Sequence, residues 1–459
     1  MMNNSITTDI SDQVNQIEDE LEEVREPAAV STTKPERFIP VTRFALMDRI
    51  RNPEAWPAEI YEDVMATLDN LANWRHQVYA RRLAAVMESY IPFSPDRDTI
   101  NVTELSEAQL MDKRQDLMER MTVILERANY EEISDDELDA YFTAQGPYGL
   151  NLKVDMSEYD ESLVYYRGSD EQKQEKRDWR RLYLTKYTEV IPIFQRLFLV
   201  LKLKPEHLRI KEIMEKDGVD EKKAEKRLKK YRKNLPEGIS SDHVYLKTFK
   251  NIPQSDLEML FPNTKVEFKL FDKIKFWVSA GGGTISGLVG AVIKILGSAV
   301  SPITLLIAIG GFGGVMVRQV TSFFNQRNRY MMVLAQNLYF HSLANNRGAL
   351  TLLLDRAEEE DIKEEILLYS YLVHNTVALH ERVEAQGEIE EYLNGEFGIT
   401  IEFDFEDALE RLVEDGLVET DAQGTIKAVP PARCREILTD KWNGVLVAKE
   451  QPTQNSNAA

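Results

Sequence analysis

Between Phe276 and Val317 the chain runs for 42 residues with Lys294 as its only ionisable side chain. An α-helix rises about 1.5 Å per residue, so such a run is about 63 Å long as one helix, roughly twice the hydrocarbon thickness of a bilayer. Gly297, Ser298, Ser301 and Pro302 lie at its midpoint, where glycine and proline interrupt a helix. The run therefore predicts a two-helix transmembrane hairpin, Trp277 to Leu296 and Ile303 to about Phe324. Gly283, Gly287 and Ala291 repeat every fourth residue, as do Gly310 and Gly314, placing small residues on one face of each helix for close packing. Lys294 is a candidate for an ion or substrate path, since a charge inside an apolar span is costly. Its nearness to Gly297 also lets its long stem carry the ammonium to the headgroups.

Basic residues stand on both sides of this run: Lys265, Lys269, Lys273 and Lys275 before it, Arg318, Arg327 and Arg329 after it. Positive charge stays on the cytoplasmic side, so both ends are expected there. The expected location is integral to a bacterial inner (plasma) membrane with both termini cytoplasmic, or to a mitochondrial membrane in a eukaryote. The segment before Pro35 lacks the basic-then-apolar pattern of a signal peptide, and Glu18, Asp19, Glu20, Glu22 and Glu23 are unlike an acid-poor presequence.

Charge excludes one large class of function. With 77 Asp and Glu against 56 Lys and Arg, the net charge is −21, opposite to what phosphate neutralisation requires, and no nucleic-acid partner is expected. One segment departs from this balance. Eight of the twelve residues from 222 to 233 are basic: Lys222, Lys223, Lys226, Arg227, Lys229, Lys230, Arg232 and Lys233. They read either as a solvated helix face or as a contact for anionic lipid headgroups.

No motif carries chemistry. Gly281-Gly282-Gly283-Thr284-Ile285-Ser286-Gly287 lacks the spacing and the following Lys-Ser/Thr of a phosphate loop. The six histidines contain no i,i+4 pair, and the single cysteine, Cys434, makes neither an intrachain disulfide nor a cysteine-rich metal site. Asp355, Glu358, Glu359, Glu360, Asp361, Glu364 and Glu365 form an acidic cluster that a helix N-terminus would favour. No catalytic residue, cofactor or metal ligand is assigned, and an enzyme is disfavoured.

The expected fold class is α+β, mostly helical: a soluble helical and small-sheet body, the transmembrane hairpin and a C-terminal winged-helix-like unit. The expected divisions are an acidic tail (1–36), a cytoplasmic body (37–275), the hairpin (276–324), a helical region (325–383), the winged-helix-like unit (384–449) and a polar tail (450–459). In the body, Ile60, Val64, Leu68 and Leu71 repeat at helical spacing, and Ser106 with Gln109 and Ser134 with Glu137 match capping boxes. Alternation over Leu150–Val154, Leu163–Tyr166, Tyr245–Phe249 and Val266–Leu270 predicts a small sheet, interrupted by a helical excursion from Asp170 to Lys233 that includes the apolar run Val190–Leu203. Two further helices are expected over Ala349–Ala357 and Ile362–Leu379. The last unit reads as helix, strand, helix and a β-wing around Asp421–Gly424, and from Glu381 to Pro430 it carries a net charge of −12, which favours protein docking over nucleic acid.

Several short stretches, Arg37-Phe-Ile-Pro40, Pro92-Phe-Ser-Pro-Asp-Arg-Asp-Thr99, Ala128-Asn-Tyr130, Tyr166-Arg-Gly168, Tyr245-Leu-Lys-Thr-Phe-Lys-Asn-Ile-Pro253 and Asp256-Leu-Glu-Met-Leu-Phe-Pro262, together with Leu338-Tyr339, Asn345-Asn346, Ala357-Glu358 and Lys363-Glu364, carry a resemblance that spans most of Arg37 to Trp442. In them the sequence resembles the transmembrane protein 143 family, an uncharacterised group of mitochondrial and bacterial membrane proteins. The resemblance implies a two-helix anchor with most mass on one side, and it carries no activity or catalytic residues. The expected function is a membrane-anchored cytoplasmic scaffold whose partners are the bilayer, anionic lipids, other proteins and a homo-oligomer. The alternatives are a subunit of an oligomeric transporter or channel, and an enzyme acting on lipids.

Overall fold

The structure, a computed structural model, describes residues 35–96, 105–143, 151–177, 186–232, 235, 238–262, 265–267, 318, 321, 332 and 339–447. In chain order its elements are α1 (Arg43–Ile50), α2 (Tyr61–Tyr90), α3 (Glu107–Arg127), β1 (Glu131–Glu132), α4 (Asp135–Thr143), β2 (Asn151–Lys153), β3 (Tyr159–Arg177) and β4 (Lys186–Leu203). They continue with α5 (Glu206–Asp217), α6 (Glu221–Arg232), β5 (Val244–Pro253), β6 (Lys265–Glu267), β7 (Ser342–Asn345), α7 (Asn346–His374), α8 (Arg382–Phe397), α9 (Phe405–Glu414), β8 (Val418–Thr420), β9 (Ile426–Ala428) and α10 (Pro431–Val447).

A five-stranded antiparallel sheet in the order β1-β3-β4-β5-β7 forms the body, with β2 and β6 paired separately. The central strand β4 corrects the expected helical excursion. Its residues from Leu197 to Leu203 are all buried, because β3 and β5 flank it and both sheet faces are covered. Phe198 and Val200 face the core shared with α2, α3 and α7, whereas Leu197, Leu199 and Leu201 join Ile133, Leu138, Leu257 and Leu260 on the other side. A strand buried on both faces shows no alternation, so an apolar run of this kind imitates a buried helix.

Helix α7 is the spine. Its first half places Ala349, Leu350, Leu353, Leu354 and Ala357 against the sheet core, and its second half places Ile362, Ile366, Leu368, Tyr369 and Leu372 in the core of the C-terminal unit. Each fully buried Leu or Ile of this kind contributes about 1.5–3 kcal/mol, which is why the two helices expected over Ala349–Leu379 form one continuous element. Ser106 and Gln109 make a reciprocal capping box at the start of α3, and Ser134 with Glu137 makes the same bonds before α4.

In the C-terminal unit α8 and α9 precede a β8–β9 hairpin, and Val377 bridges Ile426 of β9. Between α8 and α9, where the last unit is expected to hold a strand, Ile401 makes only a single parallel bridge, with Glu36, among the described residues.

No helix among the described residues is long and apolar enough to cross a membrane. The two long ones, α2 with 30 residues and α7 with 29, carry charged side chains on successive turns. The expectation of a transmembrane architecture, and of an integral membrane location with it, is corrected accordingly. The α+β, mostly helical character stands. The stretch Phe276–Val317, on which the hairpin expectation rests, lies outside the described residues.

Candidate functional site

The basic segment forms α6, the second helix of a pair that follows β4. Helix α5 ends at Gly218, whose φ of 62° and N–H bond to the Met214 carbonyl turn the chain back. The Asp220 carbonyl then accepts from the amides of Lys223 and Ala224 to start α6. Ala224 and Leu228 are buried against Ile213, with Tyr231 and Met214 packed at their edge. The inner face of α6 is thereby closed, and its lysines are turned outward.

Side-chain partners divide the eight basic residues into anchors and a free face. Arg232 is an anchor: its Nη2 donates to the Lys204 carbonyl at 2.6 Å and its Nε to Glu158 at 3.2 Å. Glu158, itself buried, also accepts from Arg209 of α5 at 2.8 Å, so one carboxylate ties both helices to the start of β3. Arg227 bonds Asp217, and Lys223 pairs with Asp220 at 3.1 Å. Lys222, Lys226, Lys229 and Lys230 are exposed and have no ion pair among the described residues. At 3.6 residues per turn these four fall on one face, opposite Ala224 and Leu228. Lys233 lies outside the described residues, as do Lys294, Gly283, Gly287, Ala291, Gly310 and Gly314. The transport alternative, which depends on Lys294, therefore has no described geometry.

The acidic cluster lies in the middle of α7 rather than at a helix N-terminus: Asp355 is exposed and Glu358 and Glu359 are partly buried, while the cluster from Glu360 onward is buried. Glu360, Asp361, Lys363, Glu364 and Glu365 are each at most 2% exposed. Arg411 of α9 enters this cluster: Nε donates to Glu365 at 2.8 Å, Nη2 to Glu364 at 2.5 Å, and Nη1 lies 3.3 Å from Asp361 and also bonds Asp407. Arg75 of α2 bridges Glu365 and Asp415, both through Nη2, at 2.8 and 2.7 Å. Tyr79 donates to Asp361 at 2.8 Å, and Lys363 bonds both Glu360, at 2.8 Å, and the Ile39 carbonyl.

Burial pushes the Glu364 carboxyl up to about 8, with the neighbouring charges of Asp361 and Glu360 in the same direction and Arg411 against it. Burial pushes Glu365 up to about 7 against the pull of Arg75 and Arg411. Asp361, Glu364 and Asp407 bring one oxygen each within 4.8 Å of one another, a spacing that could hold a metal ion. The Arg411 guanidinium reaches all three, so the chain itself supplies the cation at this point and the cluster reads as a structural joint. Sequence reasoning missed the joint. Its signal was Arg411, a charged residue inside the apolar stripe Phe405, Ala408, Leu409 and Leu412.

Residues 159–348, from β3 to the first turn of α7, match a family model described as a protein of unknown function (DUF3754). This similarity includes the α5–α6 pair and four of the sheet's five strands, β3, β4, β5 and β7, and its description supplies no activity. No solved structure matches the chain.

Proposed function

We propose that the chain is a non-enzymatic docking protein that engages an anionic lipid surface through the lysine face of α6. The observation that carries this reading is the division within the helix: its arginines are tied to carboxylates or to a carbonyl, while Lys222, Lys226, Lys229 and Lys230 stand free on one outward face of a protein of net charge −21. Lysine is a compact, hydrated point charge suited to a field of headgroup phosphates, whereas nucleic-acid recognition draws on arginine forks and aromatic stacking, which this face does not offer. Each lysine near an anionic surface contributes about 1 kcal/mol, so four give on the order of 4 kcal/mol, enough for reversible attachment. Contact by solvated lysines takes place outside the hydrocarbon and needs no crossing segment.

The C-terminal unit supports a second, protein-facing role. Glu406, Glu410 and Glu414 are exposed along α9, and although Arg382 pairs with Glu406 at 2.9 Å, the unit remains strongly acidic. A basic protein surface is the complementary partner.

Cosedimentation of the full chain with vesicles tests the lipid reading. Binding to phosphatidylcholine vesicles containing phosphatidylserine, lost at high salt and in a Lys222, Lys226, Lys229 and Lys230→Glu variant that still folds, is the expected result. Equal binding by that variant, or tighter binding to duplex RNA than to the vesicles, overturns it.

A further inference from the structure

A cavity of about 540 Å³ opens between α1, the C-terminal end of α7 and α8, and no residue of α6 lines it. Its volume lies in the range of small-molecule sites, about 300–1,000 Å³. Three rings line it with fixed or guided positions. Trp56 is held by its Nε1 donating to the Ile50 carbonyl at 2.7 Å and by stacking on His374 at a centroid distance of 4.7 Å. The Tyr371 hydroxyl donates to Glu388 at 2.7 Å, and Tyr392 stands across α8, 38% exposed.

The charge of the lining is negative. Asp48, Glu388 and Glu396 face a single arginine, Arg49, which is paired with Glu396 at 3.5 Å. His374 also lines the cavity. Asp48 has no ion pair among the described residues. The Ser370 hydroxyl, in the same wall, is buried without a hydrogen-bond partner among the described residues. A buried orphan hydroxyl is costly unless a ligand or water completes it.

We propose that this cavity binds a small alkylated ammonium ligand. Aromatic faces attract such a cation through their quadrupoles, and methyl groups on the nitrogen fill the apolar surface between the rings without asking for hydrogen bonds. The carboxylates of Glu388 and Asp48 supply the counter-charge. The arrangement selects charge and shape together: an ammonium is preferred over its neutral carbon isostere. The site is independent of the lysine face, which selects anions.

Isothermal titration of the full chain with choline, and with 3,3-dimethylbutan-1-ol as the uncharged isostere, tests the assignment. Saturable choline binding at least tenfold tighter than the isostere is expected, with at least a tenfold loss in both Tyr392→Ala and Glu388→Gln. These two positions are exposed, so folding persists where Trp56→Leu could unfold the core, and circular dichroism verifies it. Phosphatidylcholine vesicles distinguish the source: binding of vesicles that Tyr392→Ala abolishes assigns a lipid headgroup, whereas binding of free choline alone assigns a soluble ligand. No saturable binding of choline or of vesicles by the folded chain, or isostere binding as tight as choline's, overturns the proposal.

Discussion

Arg411 and Glu365 meet at 2.8 Å in the protein interior, the arginine 2% exposed and the glutamate not at all. Through this contact α9 of the C-terminal unit is joined to the α7 spine, and Arg75 brings α2 to the same carboxylate. Three elements thus converge on one buried group. The joint locates the C-terminal unit by charge as well as by the apolar packing around it.

Replacing Arg411 by Met removes the guanidinium from four carboxylates while keeping much of the volume. Breaking one side of a buried ionic group leaves uncompensated charge and costs about 3–5 kcal/mol. Urea denaturation is expected to show a loss of this order. A loss below about 1 kcal/mol would show that the network makes little net contribution and that packing alone places α9.

The same network makes stability depend on pH. The Glu364 carboxyl is raised from 4.5 to about 8 in the folded chain, so folding favours its protonated form. Its contribution is whole below about pH 4.5 and is lost as pH rises through about 8. Stability should therefore fall between these values, with a slope of at most about 1.4 kcal/mol per pH unit for each proton. Glu365 and Glu258 are raised as well and add to the trend. Urea midpoints measured from pH 5 to pH 8 should decline in the native chain and decline less steeply in Glu364→Gln. Identical slopes in the two chains would mean that Glu364 is ionised throughout.

Gly168 in β3 has a φ of 78°, and a Cβ there would lie 2.9 Å from Gln195 Oε1 and 3.0 Å from Phe38 Cε1. The Phe38 ring also lies beneath the Arg167 guanidinium at 4.7 Å, so it has little freedom to withdraw. Gly168→Ala combines backbone strain with this crowding and is expected to cost about 1–3 kcal/mol by thermal or urea unfolding. A neutral result would show that the strand relaxes toward negative φ at this point.

How much of this was legible in the sequence depends on how local the cause was. The capping boxes at Ser106 and Ser134 are completed within three residues, and the turn at Asp421–Gly424 closes on its own side chain, with Asp421 accepting from Gln423 and Thr425 at 2.8 and 2.9 Å. Strand β4 was misread because burial on both faces erases the period of two. The belt on α7 was assigned to a helix end because its partners are distant in sequence: Arg75 lies 290 residues from Glu365, and Ile39 lies 321 from Glu360. The cavity beside Trp56 depends on α1, α7 and α8 coming together, and no single stretch signals it. For α6 the sequence showed eight basic residues alike, and only the positions of Asp217, Asp220, Glu158 and Lys204 separate anchors from free lysines.

That separation gives the last prediction. Arg232 satisfies the Lys204 carbonyl and shares Glu158 with Arg209, so Arg232→Ala leaves a buried carboxylate short of a partner and is expected to destabilise the fold by about 1–3 kcal/mol. Lys226 and Lys230 are solvated and unpaired among the described residues, so Lys226→Gln and Lys230→Gln should leave stability within about 0.5 kcal/mol of the native value. The order should reverse on vesicles containing phosphatidylserine. Each lysine lost removes about 1 kcal/mol of surface attraction, roughly a fivefold loss of affinity that diminishes as salt screens it. Arg232→Ala, assayed where it remains folded, should lose less affinity than either lysine variant. If all three weakened vesicle binding equally, the attraction would be set by total charge rather than by the face that α6 presents.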